Sequence, residues 1–138
     1  MSRLQMQDPK WFLIDATNKR VGRLASKIAH ILQGKHKSSF APNKLDEDHL
    51  IVINAEKVVF TGKKWNQKEY IRHSGYLGGL KKRSALQVLK DTPERILTHA
   101  IKGMIPKNKM GRRIMKKIRI YSGPVHPHLT QKPSQIQL

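Results

Sequence analysis

The sequence predicts an α/β fold: a single domain around a mainly parallel four-stranded sheet, with an extended tail at each end. Three observations carry this reading. Trp11-Phe12-Leu13-Ile14 and Leu50-Ile51-Val52-Ile53 are continuous apolar runs, too short for helices, of the kind found in strands buried on both faces. Apolar residues between and after these runs recur at helical spacing, and strands alternating with helices favour parallel pairing. The 138 residues suffice to bury one core and are too few for two full domains, and the 38% that are hydrophobic are grouped rather than scattered, which excludes full disorder.

Element by element, residues 1–9 read as a loose tail ending at Asp8-Pro9, residues 10–124 as the domain and residues 125–138 as an extended second tail. After the first strand, Asp15-Ala16-Thr17-Asn18 is a polar turn. Val21, Leu24, Ala25, Ile28, Ile31 and Leu32 then predict an amphipathic helix over 20–33, with Gly34 where a left-handed C-terminal cap belongs. Residues 35–48 lack a period, contain Pro42 and form a loop. Asn54 closes the second strand, residues 55–60 fit a helical turn or a strand equally, and residues 61–64 form a turn. Residues 68–73 predict a strand, after which Gly75, Gly78 and Gly79 predict a flexible loop. A short helix over 84–90 should turn Leu86 and Leu89 inward. Thr92-Pro93-Glu94 is a helix start, with Thr92 as N-cap, and Ile96, Leu97, Ala100, Ile101 and Met104 give the following helix its apolar face before Pro106 stops it. One more short helix fits 110–115, and Ile118-Arg119-Ile120-Tyr121 reads as the last strand, ended by Ser122-Gly123-Pro124.

Charge dominates the composition. Lys and Arg total 28 against 9 Asp and Glu, a net charge of +19. The acids are unevenly placed: none follows Glu94, while Arg95, Lys102, Lys107, Lys109, Arg112, Arg113, Lys116, Lys117, Arg119 and Lys132 do. Residues 70–90 form another acid-free window, holding Arg72, Lys81, Lys82, Arg83 and Lys90, and Lys35-His36-Lys37 is a third cluster. Solvated faces usually mix the two signs. These segments do not, and a polyanion-binding surface is the expectation. A membrane-surface helix would need a bulky apolar face opposite the charge, and Trp11 and Trp65 lie far from the basic C-terminal third. Compensation of a helix dipole cannot explain bases that continue well past the helix end.

Other classes fall away. With no cysteine there is no disulfide, thiolate metal site or cysteine nucleophile. No stretch approaches the roughly 20 apolar residues of a membrane span. Met1 to Lys10 lacks the apolar core of a signal peptide, which argues against secretion. Neither Gly34-Lys35 nor Gly75-Tyr76-Leu77-Gly78-Gly79 matches a nucleotide-binding glycine motif, although such a loop would let backbone approach an RNA phosphate. The seven histidines are mostly scattered, and His126-Pro127-His128 reads as a polar tail able at most to touch metal or phosphate weakly. His73-Ser74 is suggestive of a hydrolase only by adjacency, and Asp15 reads as a turn or capping residue before a catalytic acid. No enzyme, cofactor, metal or small-molecule substrate is expected.

One stretch carries a resemblance. Lys102-Gly103-Met104-Ile105-Pro106, Gly111-Arg112 and Ile118-Arg119-Ile120-Tyr121-Ser122-Gly123 resemble the signature of the large ribosomal subunit protein thirteen family. Trp11 to Ala16, Gly22-Arg23-Leu24-Ala25, Gly34-Lys35-His36-Lys37, Ile53 to Lys57, Thr61-Gly62-Lys63 and His73 to Gly79 follow in that family's order, so that the resemblance spans about residues 10–125. It implies a three-layer α/β/α fold around a parallel sheet, binding to large-subunit ribosomal RNA, neighbouring large-subunit proteins as partners, a role in early subunit assembly, no enzymatic activity, and residence in a bacterial cytoplasmic or an organellar ribosome. With the acid-free segments it designates Lys35, His36, Lys37, Lys81, Lys82, Arg83, Lys102, Lys107, Lys109, Arg112, Arg113, Lys116, Lys117 and Arg119 as RNA-binding. The alternatives are a free-standing RNA- or mRNA-binding regulator and a nuclease acting through Asp15 or His73.

Overall fold

The computed structural model describes residues 10–45 and 48–137. The tail assigned to residues 1–9 lies outside them. The architecture is α/β. Four parallel strands, β1 (Trp11–Asp15), β2 (His49–Ile53), β5 (Ile118–Ile120) and β6 (Ser134–Ile136), form a sheet in the order β5-β2-β1-β6. A separate antiparallel hairpin pairs β3 (Glu69–His73) with β4 (Leu80–Ser84). The helices are α1 (Val21–Leu32), α2 (Lys64–Gln67), α3 (Ala85–Asp91), α4 (Glu94–Met104) and α5 (Lys109–Met115), with a 3-10 turn at Ala55–Lys57. Among the described residues no helix is long and apolar enough to cross a membrane.

Register explains the core. Phe12, Leu50 and Ile118 lie side by side across the sheet, as do Ile14, Val52 and Ile120, so these residues share one face. On that face Ile14, Leu50, Val52 and Ile118 meet Val21, Leu24, Ala25 and Ile28 of α1 and Ile96, Leu97 and Ile101 of α4, all buried in one cluster. The other face carries Trp11, Leu13, His49 and Ile51. There Trp11 stacks on His49 at 4.4 Å and meets the His128 ring of the C-terminal tail at 5.4 Å.

The fourth strand is where the sequence reading is corrected. Residues 68–73 are extended as expected, yet they belong to the hairpin; the sheet is completed instead by residues 134–136 from the tail. The physical reason is polarity on both faces. β3 reads Glu-Tyr-Ile-Arg-His and only Tyr70 is shielded, so it cannot sit inside a parallel sheet. An edge strand is less demanding, and β6 contributes only Ile136, half-buried beside Ile14.

Several local expectations shift. Gly34 takes the left-handed cap at φ 73°, as its position demanded. The ambiguous 55–60 segment splits into the 3-10 turn and an extended stretch in which Val59 bridges to Arg20. α2 was not foreseen. In α3, Ala85 and Val88 are buried and Leu86 is exposed, because the helix starts from a Ser84–Gln87 capping box that sets its rotation. Met104 is exposed at the end of α4. The loop at Gly75–Gly79, expected to be flexible, is an internally hydrogen-bonded turn: Ser74 N–H donates to Gly79 O at 3.0 Å, and Gly79 N–H to Tyr76 O at 2.9 Å.

Candidate nucleic-acid interface

The signature segment folds into a groove. After α4, Ile105 is buried and extended, and the chain turns at Pro106 into α5. Asn108 caps α5, its Oδ1 accepting the Gly111 N–H at 2.8 Å. Gly111 is buried against this turn, and a Cβ built on it would come within 1.8 Å of the Pro106 carbonyl oxygen. No side chain fits, so glycine here sets the approach of α5 to the loop. The resulting open groove encloses about 680 Å³. Ile105, Pro106, Gly111 and Met115 form its apolar lining, and Lys102, Lys107, Arg112 and Lys116 its cations. Lys109 and Arg113 are exposed on the same helix. An apolar floor with a cationic rim can seat a phosphate backbone on the rim and sugar or base against the floor.

The other designated residues are less uniform. Arg119 is exposed, and its guanidinium turns back to donate to Lys116 O at 2.7 Å and Ile118 O at 3.2 Å. Lys117 has a buried Nζ and does not face the groove. Lys37 Nζ sits 2.6 Å from the buried Asp48 Oδ2, with His36 Nε2 3.8 Å from the same oxygen, while Lys35 is exposed. Asp48 also accepts the Lys10 N–H at 3.2 Å. This cluster ties the loop after α1 to β2. On the hairpin Lys82 lies 3.8 Å from Glu69, Arg83 donates to Asp91 at 3.2 Å, and Lys81 is exposed.

A second basic concavity escaped the sequence reading. Arg20, Arg23, Lys64 and Lys68 line a groove of about 490 Å³ together with Tyr70, His99 and Met104, and Arg20, Arg23 and Lys27 continue into an adjoining one. Tyr70 packs edge-on against His99 at 5.3 Å, and burial raises its phenol above the usual tyrosine range, which keeps it a hydrogen-bond donor. The available signal was the absence of acids from 16–45 and the spacing of Arg20, Arg23 and Lys27, one stripe of α1 opposite its apolar face.

The residues weighed for catalysis are structural. Asp15 Oδ1 accepts from Thr17 N–H at 2.9 Å, Thr17 Oγ1 at 2.7 Å and Asn54 Nδ2 at 2.9 Å, joining the ends of β1 and β2. The bonds from Asn54 and Thr17 lower its pKa below the usual aspartate value. His73 Nδ1 accepts the Gly75 N–H at 2.9 Å and so serves the hairpin turn. His126 and His128 are not a free polar tail: His126 is buried, His128 Nε2 lies 2.8 Å from the Tyr121 hydroxyl, and both rings help hold the tail to the sheet. Among the described residues no group of three or more candidate ligands could hold a metal.

The family model described as Ribosomal protein L13 matches residues 9–127. Proteins named Large ribosomal subunit protein uL13 are similar along nearly their whole length. The one from Thermus thermophilus is 50% identical over 131 residues, covering 95% of this chain and 94% of its own. That from Thermotoga maritima is 51% identical over 129 residues, 94% of this chain and 87% of its own. That from Lawsonia intracellularis is 49% identical over 129 residues, 94% of this chain and 90% of its own. The chain belongs to the ribosomal protein L13 family, a family of ribosomal structural proteins and not of enzymes.

Proposed function

We propose that this protein is a structural constituent of the large ribosomal subunit, binding large-subunit ribosomal RNA and supporting early subunit assembly beside neighbouring subunit proteins. The observation that carries the RNA-binding reading is the groove between α4 and α5, where Lys102, Lys107, Arg112 and Lys116 surround an apolar floor in a segment without a single acid. The rigid sheet and its helices hold these cations at fixed separations, so they neutralise phosphates of a folded RNA without reading base sequence. Arg20, Arg23, Lys64 and Lys68 extend the contact to a second RNA segment. Location follows from the assembly: the protein resides wherever its ribosome does.

Filter binding of the full chain to large-subunit RNA across a salt series tests this. Each neutralised phosphate contributes about −0.7 to −0.9 to the slope of log affinity against log salt. A steep slope supports the reading, and a slope near zero defeats it. Sedimentation adds a second check. Co-migration with large subunits through a high-salt wash is the expected result, whereas recovery only in the free fraction identifies a free-standing RNA-binding regulator.

A further inference from the structure

The hairpin tip has no part in the fold or the groove, and it is built with care. Tyr76 is 80% exposed and Leu77 107% exposed. Monomeric surfaces scatter single apolar residues, but here two adjacent ones are held outward by a fixed turn. Gly75 and Gly78 take φ of 88° and 71°, conformations that side chains resist. The Gly75 N–H is bonded to His73, and Ser74 and Gly79 close the turn. A Cβ on Gly79 would come within 2.0 Å of Ser74 Oγ and 2.8 Å of Tyr76 O. The turn is therefore set before any partner arrives.

Below the tip, charge identifies that partner. Register places Arg72 directly across from Lys81, on the strand face opposite Ile71 and Lys82. Like charges facing each other across a strand pair destabilise it. The hairpin's ion pairs engage Lys82 and Arg83; among the described residues Arg72 and Lys81 make none. An anion between Arg72 and Lys81 would relieve that repulsion. A protein partner would have to supply carboxylates to this face and an apolar pocket to the tip. A single RNA strand supplies both chemistries at once, phosphate to the cations and a base face to the ring.

We infer that the hairpin is a base-stacking finger: Tyr76 receives an unpaired ribosomal RNA base, with Leu77 against its edge, while Arg72 and Lys81 hold the adjoining phosphates. The inference rests on the RNA-binding reading above and adds an interaction with single-stranded RNA at a different place on the molecule.

The test uses the full chain with large-subunit RNA, measured by filter binding and by nucleotide-resolution chemical footprinting. Tyr76→Ala should weaken binding about tenfold or more with its salt slope unchanged, and should lose protection at one discrete unpaired nucleotide. Tyr76→Phe, which keeps the ring, should restore both. The Arg72→Gln, Lys81→Gln double variant should reduce the slope by about 1.4, two single-strand phosphates, and expose the same nucleotide's neighbours. Wild-type affinity and footprint in Tyr76→Ala, with the groove cations still required, would overturn the finger and leave RNA binding standing. Normal RNA binding by Tyr76→Ala combined with failed retention in assembled subunits would also overturn it, by identifying a protein as the occupant. Loss of salt-dependent binding by the wild-type chain would instead remove the RNA-binding reading itself.

Discussion

Lys37 and Lys102 stand in equally basic stretches of sequence and do opposite things. Lys37 lies in the loop after α1, its ammonium 2.6 Å from the buried carboxylate of Asp48. Lys102 stands on the last turn of α4, exposed, on the wall of a groove that it shares with Lys107, Arg112 and Lys116. One cation stabilises the fold by neutralising a buried charge, while the others burden it with mutual repulsion that only an external anion relieves. A count of basic residues treats the two alike. What separates them is whether the chain brings a carboxylate back to the site, and Asp48 is brought back by β2 pairing with β1.

The largest expected effect would break this comparison at the groove. Replacing Lys102, Lys107, Arg112 and Lys116 together with alanine should reduce affinity for large-subunit RNA about a thousandfold near physiological salt and lower the salt slope by about 3 to 4. Thermal stability should hold or rise in the same variant. An unchanged slope would place the phosphate contacts elsewhere. Next in size, Gly111→Ala attacks the groove through its backbone. The clash with the Pro106 carbonyl should cost about 3 kcal/mol, a fall of about 10 °C in Tm by calorimetry, and weaken RNA binding although no charge is lost.

On the other side, Lys37→Met should cost about 2 kcal/mol by chemical denaturation, because the buried Asp48 loses its nearest cation, while the RNA salt slope changes little. Adding Asp48→Asn should recover part of that loss. A drop in salt slope as large as that of a groove lysine would erase the distinction between the two clusters. The smallest effect concerns acid. The folded pKa of Asp15 lies below its unfolded value of 3.8, so its contribution is present above about pH 4 and is lost as pH falls through the lowered value. Asp15→Asn should therefore reduce stability at neutral pH and flatten its decline in acid, as measured by Tm at pH 3 and pH 7.

The same contrast shows what was legible in the sequence. Periodicity located α1 and α4, and apolar runs located β1 and β2, because burial of a regular element leaves a local pattern. β6 was not legible: Ser-Gln-Ile at a sheet edge needs too few apolar residues to announce itself. Nor was the hairpin's partner, since Glu69–His73 reads as a strand wherever it pairs. The groove cations were found from the acid-free segment that holds them. Lys37 and Lys117 were assigned with them because sequence distance hides what surrounds an ammonium, and Arg20, Arg23, Lys64 and Lys68 were missed because their groove gathers them from two distant parts of the chain. Tyr76 and Leu77 lay in a motif whose glycines were noticed while the side chains they display were not.

The placement of β6 has a consequence for how the molecule comes into being. β1 is the first described strand to be synthesised and β6 the last, yet they are neighbours in the sheet. Until residues 134–136 are made, one edge of β1 has no partner, and a nascent chain carries an open strand edge beside a nearly finished core. Closing it requires the longest-range pairing in the sheet, a slow kind of step. The tail that carries His126 and His128 across the sheet is thus the late clasp of a structure otherwise assembled from its N-terminal end, and the edge it covers is the one on which two unfinished copies could pair.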